Sequence, residues 1–196
     1  MNESATETDG PPRGPLIAAL VVAVAAVGVI LAVVATRRSP QQPVAIAAFP
    51  APHATDPACA ALLERLPPRL GDHRRAAIAR PAPVGAAAWR SGDDEPVVLR
   101  CGLDRPAEFT VGSPIVAVDS VQWFEVRDSN DDGEGRNDAD GSRSTWYTVD
   151  RAVYVALTLP PGSGPTPIQQ LSELIGDTVA ATPINPAPAG VTAPAG

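Results

Sequence analysis

Leu16–Thr36 reads LIAALVVAVAAVGVILAVVAT, 21 residues with no charge, no proline and a single glycine, Gly28. An α-helix rises about 1.5 Å per residue, so this run reaches roughly 30 Å, the thickness of bilayer hydrocarbon. No second window of the chain approaches it, and the sequence predicts one transmembrane helix over residues 16–36. The alternative is a cleaved export signal, which has a shorter apolar core behind a basic leader. Here the short tail, residues 1–15, sets Glu3, Glu7 and Asp9 against Arg13, and Val33 and Ala35 make a poor cleavage site. An uncleaved anchor is the expectation. Arg37 and Arg38 follow the span. Taken alone, the positive-inside rule holds the C-terminal part in the cytoplasm, but long domains translocate largely regardless of so small a bias. The cysteines and the composition argue for export. The expected protein is therefore a single-pass component of the cell membrane, N-terminus cytoplasmic and domain extracytoplasmic.

The net charge is −7, from 15 basic and 22 acidic residues, and every basic residue is arginine. An acidic chain of this kind is not a general nucleic-acid binder. Two cysteines and two histidines cannot build a repeated zinc module. Aromatics make up 4% of the chain, so a core must come from alanine, valine, leucine and isoleucine. Residues 37–56 form a spacer rich in proline and alanine, with Val44–Ala48 as a first short strand. Residues 57–180 hold the domain. Residues 181–196 (ATPINPAPAGVTAPAG) have almost no bulky apolar side chain and are expected to be a disordered tail.

The domain opens and closes on helices. Asp56 suits an N-cap and Pro57 the first helical position. Cys59, Leu62, Leu63 and Leu66 make one apolar stripe, and Pro67 and Pro68 stop the helix. Near the C-terminus, Thr166 and Gln169 fit a capping box with Pro167 in the first turn. Ile168, Leu171, Leu174, Ile175 and Val179 give that helix its buried face. Between them lie strand patterns at 96–102, 115–118, 121–126, 144–149 and 152–159, the last two a hairpin about Asp150 and Arg151. Helix, strands, helix predicts an α+β fold, a small antiparallel sheet with helices on one face.

Cys59 falls on the apolar stripe of the first helix, and Cys101 on the apolar face of the strand at 96–102. Both point into one core, and the simplest joint reading is a helix-to-sheet disulfide worth roughly 3–4 kcal/mol in the chain-entropy model. Two separate buried thiols are the alternative. No C-x-x-C occurs, and neither histidine lies at ligand spacing from a cysteine.

Several short stretches carry a family resemblance. They are Asp56–Leu63 (DPACAALL), Trp89, Val97–Leu103 (VVLRCGL), Arg105-Pro106, Val121–Trp123, Trp146-Tyr147 and Asp150–Val155 (DRAVYV). In these the chain resembles an uncharacterised family of actinobacterial membrane-anchored proteins, a domain of unknown function of the 3515 type. The resemblance implies one span and an exported domain, and brings no activity and no catalytic residue. The chain departs from the family pattern in a longer turn between Trp89 and Pro96 and a longer acidic loop before Ser144. Neither extra stretch is a good place for a function shared by the family.

That acidic loop, 128–141, holds six carboxylates and one arginine, which is most of the net charge. Asp128, Asn130, Asp132 and Gly133 match positions 1, 3, 5 and 6 of a calcium loop, where oxygens surround a hard cation and the glycine allows the turn. Position 12 is Ala139, where a bidentate glutamate belongs, and the flanks read as strands. Ordinary solvated turn chemistry is the competing account. His73, Arg74 and Arg75 form a basic cluster able to meet an anionic polymer or simply a solvated face. His73, next to Asp72, is the better general base of the two histidines. Arg151 is a carboxylate clamp or the partner of Asp150. Trp89, Trp123, Trp146, Tyr147 and Tyr154 line a groove or anchor the core. No nucleophile elbow, zinc-protease, P-loop or dinucleotide motif occurs.

The sequence therefore predicts an envelope protein held by Leu16–Thr36, without a cofactor. Its outer domain binds an unidentified envelope protein or cell-wall polymer. The alternatives are a calcium module at 128–141 and an enzyme with an unfamiliar site near His73 or Arg151.

Overall fold

A computed structural model describes residues 13–36, 42–127 and 142–189. The chain divides into two compact units, Met1–Pro40 and Gln41–Gly196. In the first, Arg13–Thr36 forms one helix, α1. Its described side chains, residues 17–31, are all exposed. Among the described residues no helix is long and apolar enough to cross a membrane. The expected span over residues 16–36 is thus not shown by the structure, although a helix of 24 residues forms there.

The second unit runs α2 (Pro57–Arg65), β1 (Arg69–Leu70), β2 (His73–Ala76), β3 (Ala86–Arg90), β4 (Val97–Leu103), β5 (Val116–Val118), β6 (Val121–Arg127), β7 (Ser144–Thr148), β8 (Tyr154–Leu159) and α3 (Thr166–Thr178). The strands form one antiparallel 8-stranded sheet in the order β1-β2-β3-β4-β8-β7-β6-β5. With the two helices this is the α+β architecture expected. Each half of the sheet is a meander of sequential neighbours. The halves join at β4 and β8, where Leu99 lies opposite Leu157 and Cys101 opposite Val155.

Alternation along the strands sorts two faces. Val97, Leu99 and Cys101 of β4 and Val155, Leu157 and Leu159 of β8 pack with Cys59 and Leu62 of α2 and Ile168, Leu171 and Ile175 of α3. Burying each such aliphatic side chain is worth about 1.5–3 kcal/mol, so this layer carries the fold. Trp89 and Trp123 are fully buried in it. Their indole N–H groups donate to the Pro67 carbonyl at 3.0 Å and to the Ser172 hydroxyl at 2.9 Å. These two tryptophans anchor the core. The opposite, back face carries two smaller clusters, one around Val44, Ala76 and Ala88 and one around Phe109, Phe124 and Val149.

The start of α2 is as the sequence predicts, with the Asp56 carboxylate accepting from the Ala58 amide at 2.8 Å. The start of α3 is not. Pro165 is the N-cap, with no side-chain hydrogen bond, and Thr166 already lies inside the helix, so the capping box does not form. β1, β2 and β3 are absent from the sequence reading. Their residues, RL, HRRA and AAAWR, lack the β-branched alternation that marks a strand, and pairing against β4 overrides that weak propensity. The spacer is part of the fold from residue 42 onward. Val44 is 1% exposed and makes a single parallel bridge to Ile78, so Val44–Ala48 is one bridge and not a strand.

The C-terminal segment also departs from expectation. Residues 181–189 were expected to be disordered for want of apolar side chains, but their backbone supplies the order. The Thr182 amide donates to the Asp150 carbonyl at 2.9 Å, and the Ala187 amide to Phe109 at 2.9 Å. The Val111 amide donates back to Ala187 at 2.8 Å.

Candidate functional site

Cys59 and Cys101 are joined in a disulfide, with Cα atoms 5.6 Å apart. Both are fully buried, so the bridge ties α2 to the centre of the sheet from inside. Beside it the chain crosses itself closely. Gly102 has φ +85°, and a Cβ there would lie 2.2 Å from the Ala54 amide nitrogen and 2.3 Å from the His53 carbonyl carbon. Only glycine fits, because the fold lays residues 53–54 directly on β4, where the His53 amide donates to the Gly102 carbonyl at 3.0 Å.

Arg151 is buried in a structural ion pair. Its Nη1 lies 2.9 Å from Asp150 Oδ2, the two side chains 2% and 9% exposed. Its Nη2 donates to the Ser120 carbonyl at 2.6 Å. Asp150 Oδ1 accepts from the Gln122 amide at 3.1 Å. The group ties the β7–β8 turn to the β5–β6 turn. α3 passes so close that a Cβ on Gly176 would meet Ser120 Oγ at 2.3 Å. Arg151 therefore faces protein and not solvent.

His73, Arg74 and Arg75 lie together on β2, but they do not act as one patch. The Arg75 guanidinium stacks over Trp89 at 4.9 Å, and burial lowers its pKa. Arg74 is exposed opposite Arg90 of β3. His73 lines a cavity of about 340 Å³ at the start of β2, together with Asp72, Asp94, Glu95, Ser163 and Thr166. Its Nδ1 is buried and has no hydrogen-bond partner among the described residues. Ser163 spends its hydroxyl on the Pro160 carbonyl at 2.7 Å, so His73 and Ser163 do not form a nucleophile–base pair.

The back face holds the second cavity, about 400 Å³, walled by Ile46, Val98, Arg100, Arg143, Thr145 and Thr158 among others. Arg100 stands mid-strand on β4, with Ala86 opposite on β3 and Ala156 opposite on β8. Two small neighbours leave room for a guanidinium along the sheet. Burial lowers the Arg100 pKa, and the nearby Tyr147 phenol raises it in part. Arg100 Nε is buried with no hydrogen-bond partner among the described residues. One row further along, the Thr145 and Thr158 hydroxyls meet at 3.1 Å. Arg143 and Glu95 form an ion pair at the rim. Sequence reasoning missed Arg100 as a site residue. Its signal was a lone arginine in the otherwise apolar run VVLRCGL.

A third cavity, an open groove of about 540 Å³ between residues 45–54 and 79–84, is mostly apolar and is edged by Phe49 and Val84. Asp128, Asn130 and Asp132 lie outside the described residues. Among the described residues no cluster of three metal-ligating side chains occurs.

No curated protein matches the chain, and neither does any solved structure. A family model described as "Protein of unknown function (DUF3515)" matches residues 19–184, from within α1 to the C-terminal segment. It spans the disulfide, the Arg151 ion pair and both sides of the Arg100 cavity, and the chain belongs to that family.

Proposed function

We propose that this protein is a single-pass membrane-anchored binding module whose folded unit works outside the cytoplasm. The observation that carries the reading is the buried Cys59–Cys101 disulfide. Bridges of this kind form and persist in oxidising compartments, and a chain with one must first be exported. The sequence on both sides of the described apolar stretch supports an anchor, because Leu16–Thr36 is uncharged over 21 residues. The family match begins at residue 19, inside that segment, so the family pattern takes in most of the apolar stretch. Binding is favoured over catalysis because Arg151 is committed to holding turns together and His73 has no hydroxyl partner at Nδ1 among the described residues. The partner is an envelope protein or a cell-wall polymer.

Alkaline phosphatase fused to the C-terminus tests the orientation. The expected result is an active fusion, and an inactive one overturns it. Alkylation of the exported protein without reductant is expected to leave Cys59 and Cys101 unlabelled until reductant and denaturant are both added.

A further inference from the structure

We propose that the back-face cavity is a monocarboxylate-binding site. The ligand's carboxylate sits on the Arg100 guanidinium, and its small apolar body fills the space under residues 45–47. The proposal rests on the binding-module reading for the idea that the domain works by binding. It does not depend on membrane orientation.

The charge sets the sign of the ligand. Arg100 occupies the middle of a central strand and has no carboxylate partner among the described residues. With no counter-charge among the described residues, a partly buried cation costs stability, and a methionine or leucine of similar size has no such cost. The other cation of the cavity, Arg143, is neutralised by Glu95. The lining thus carries one net positive charge, and a dianion entering it meets Glu95 at the rim.

The geometry sets the class. The end of an arginine offers one N–H from each Nη side by side, and a planar carboxylate fills both with its two oxygens. Nε is closed off from solvent and has no hydrogen-bond partner among the described residues, so the Nη end is the part of Arg100 that lines the cavity. The Thr145–Thr158 pair uses one hydroxyl hydrogen between its members, which leaves the other free to donate to a ligand. Ala45, Ile46, Ala47, Pro96 and Val98 supply the apolar wall. A cavity of about 400 Å³ is of small-molecule size. The carboxylate can come from a free small acid or from the C-terminus of a peptide, and these differ in what lies behind the headgroup.

The test uses the purified full chain in mild detergent, with binding followed by calorimetry and by melting temperature. The probes are acetyl-alanyl-alanine, its C-terminal amide, butyrate and inorganic phosphate. The dipeptide acid is expected to bind and to raise the melting temperature by a few degrees, and the amide to do neither. Butyrate binding as well as the dipeptide points to free acids as the source. Binding of the dipeptide alone points to a peptide C-terminus. Arg100→Lys keeps the charge and loses the fork, and is expected to weaken binding at least tenfold. Should that variant not fold, Ala47→Trp fills the cavity from its exposed edge and is expected to abolish binding. Equal binding of acid and amide, preference for phosphate, failure of both acids to bind, or binding undiminished in Ala47→Trp each overturns the proposal. A chain that exports its fusion but binds neither acid loses this site and keeps the module reading. A chain that binds the acid but has an inactive fusion keeps the site and loses the orientation.

Discussion

Replacing Arg151 by alanine removes the cation of a pair whose carboxylate, Asp150, stays buried. Breaking a buried pair from one side costs about 3–5 kcal/mol, and that loss is expected in the urea midpoint of Arg151→Ala. Gly102→Ala is also expected to be harmful, for a different reason. The new methyl group meets backbone atoms of His53 and Ala54 and not a side chain able to swing away. A loss of about 2–3 kcal/mol in the same assay is expected from overpacking alone, and a neutral variant overturns the crossing described here. Tyr154 supplies a pH dependence. Burial raises its pKa, and Arg105 nearby lowers it in part. The unfolded chain then gives up this proton at lower pH than the folded one. The contribution is fully present below about pH 10, the unperturbed tyrosine value, and is lost as pH rises through the folded value. Tyr154→Phe is expected to flatten the decline in stability measured between pH 9 and pH 11.

At the scale of the element, the disulfide is the largest single brace. It closes a loop with a sequence separation of 42 residues. In the chain-entropy model such a loop is worth about 4 kcal/mol. Replacing both cysteines by alanine is expected to lower the denaturation midpoint accordingly, and an unchanged midpoint overturns the bracing role. Both partners were legible in the sequence because each sat on an apolar stripe of its own period, 3.6 in α2 and 2 in β4. β6, β7 and β8 were legible for the same reason, through runs such as VQWFEV and AVYVALTL. β2 and β3 were not, because arginine and alanine carry no period and only the neighbouring strands make them sheet. Arg100 was missed by the same logic. Reading Val97, Leu99 and Cys101 as one face assigns Arg100 to the other, but only the sheet shows alanines on both sides of it and Thr145 and Thr158 one row away.

Across the whole folded unit, the described residues before α2 and after α3 are held where composition predicts freedom. The spacer is pinned at Val44, and the C-terminal segment is strapped along residues 109–111 and 150 by backbone hydrogen bonds. Composition reports missing side chains, and a backbone strap needs none. Each such bond contributes about 0.5–1.5 kcal/mol net. Removing residues 181–196 is therefore expected to lower the melting temperature by several degrees, and an unaffected truncation shows that the strap is idle. The strand order has a consequence for synthesis. Both cysteines lie at or before β4, within the first meander, whereas β8 comes more than fifty residues later. A nascent chain emerging N-terminus first can lock its first half by oxidation while β4 still presents a bare hydrogen-bonding edge. Until β8 arrives, that edge is open to the β8 of another copy as well as to its own. Exchange between molecules is thus concentrated at one seam, the β4–β8 join, and crowding during biogenesis is where this fold is most exposed to swapped dimers.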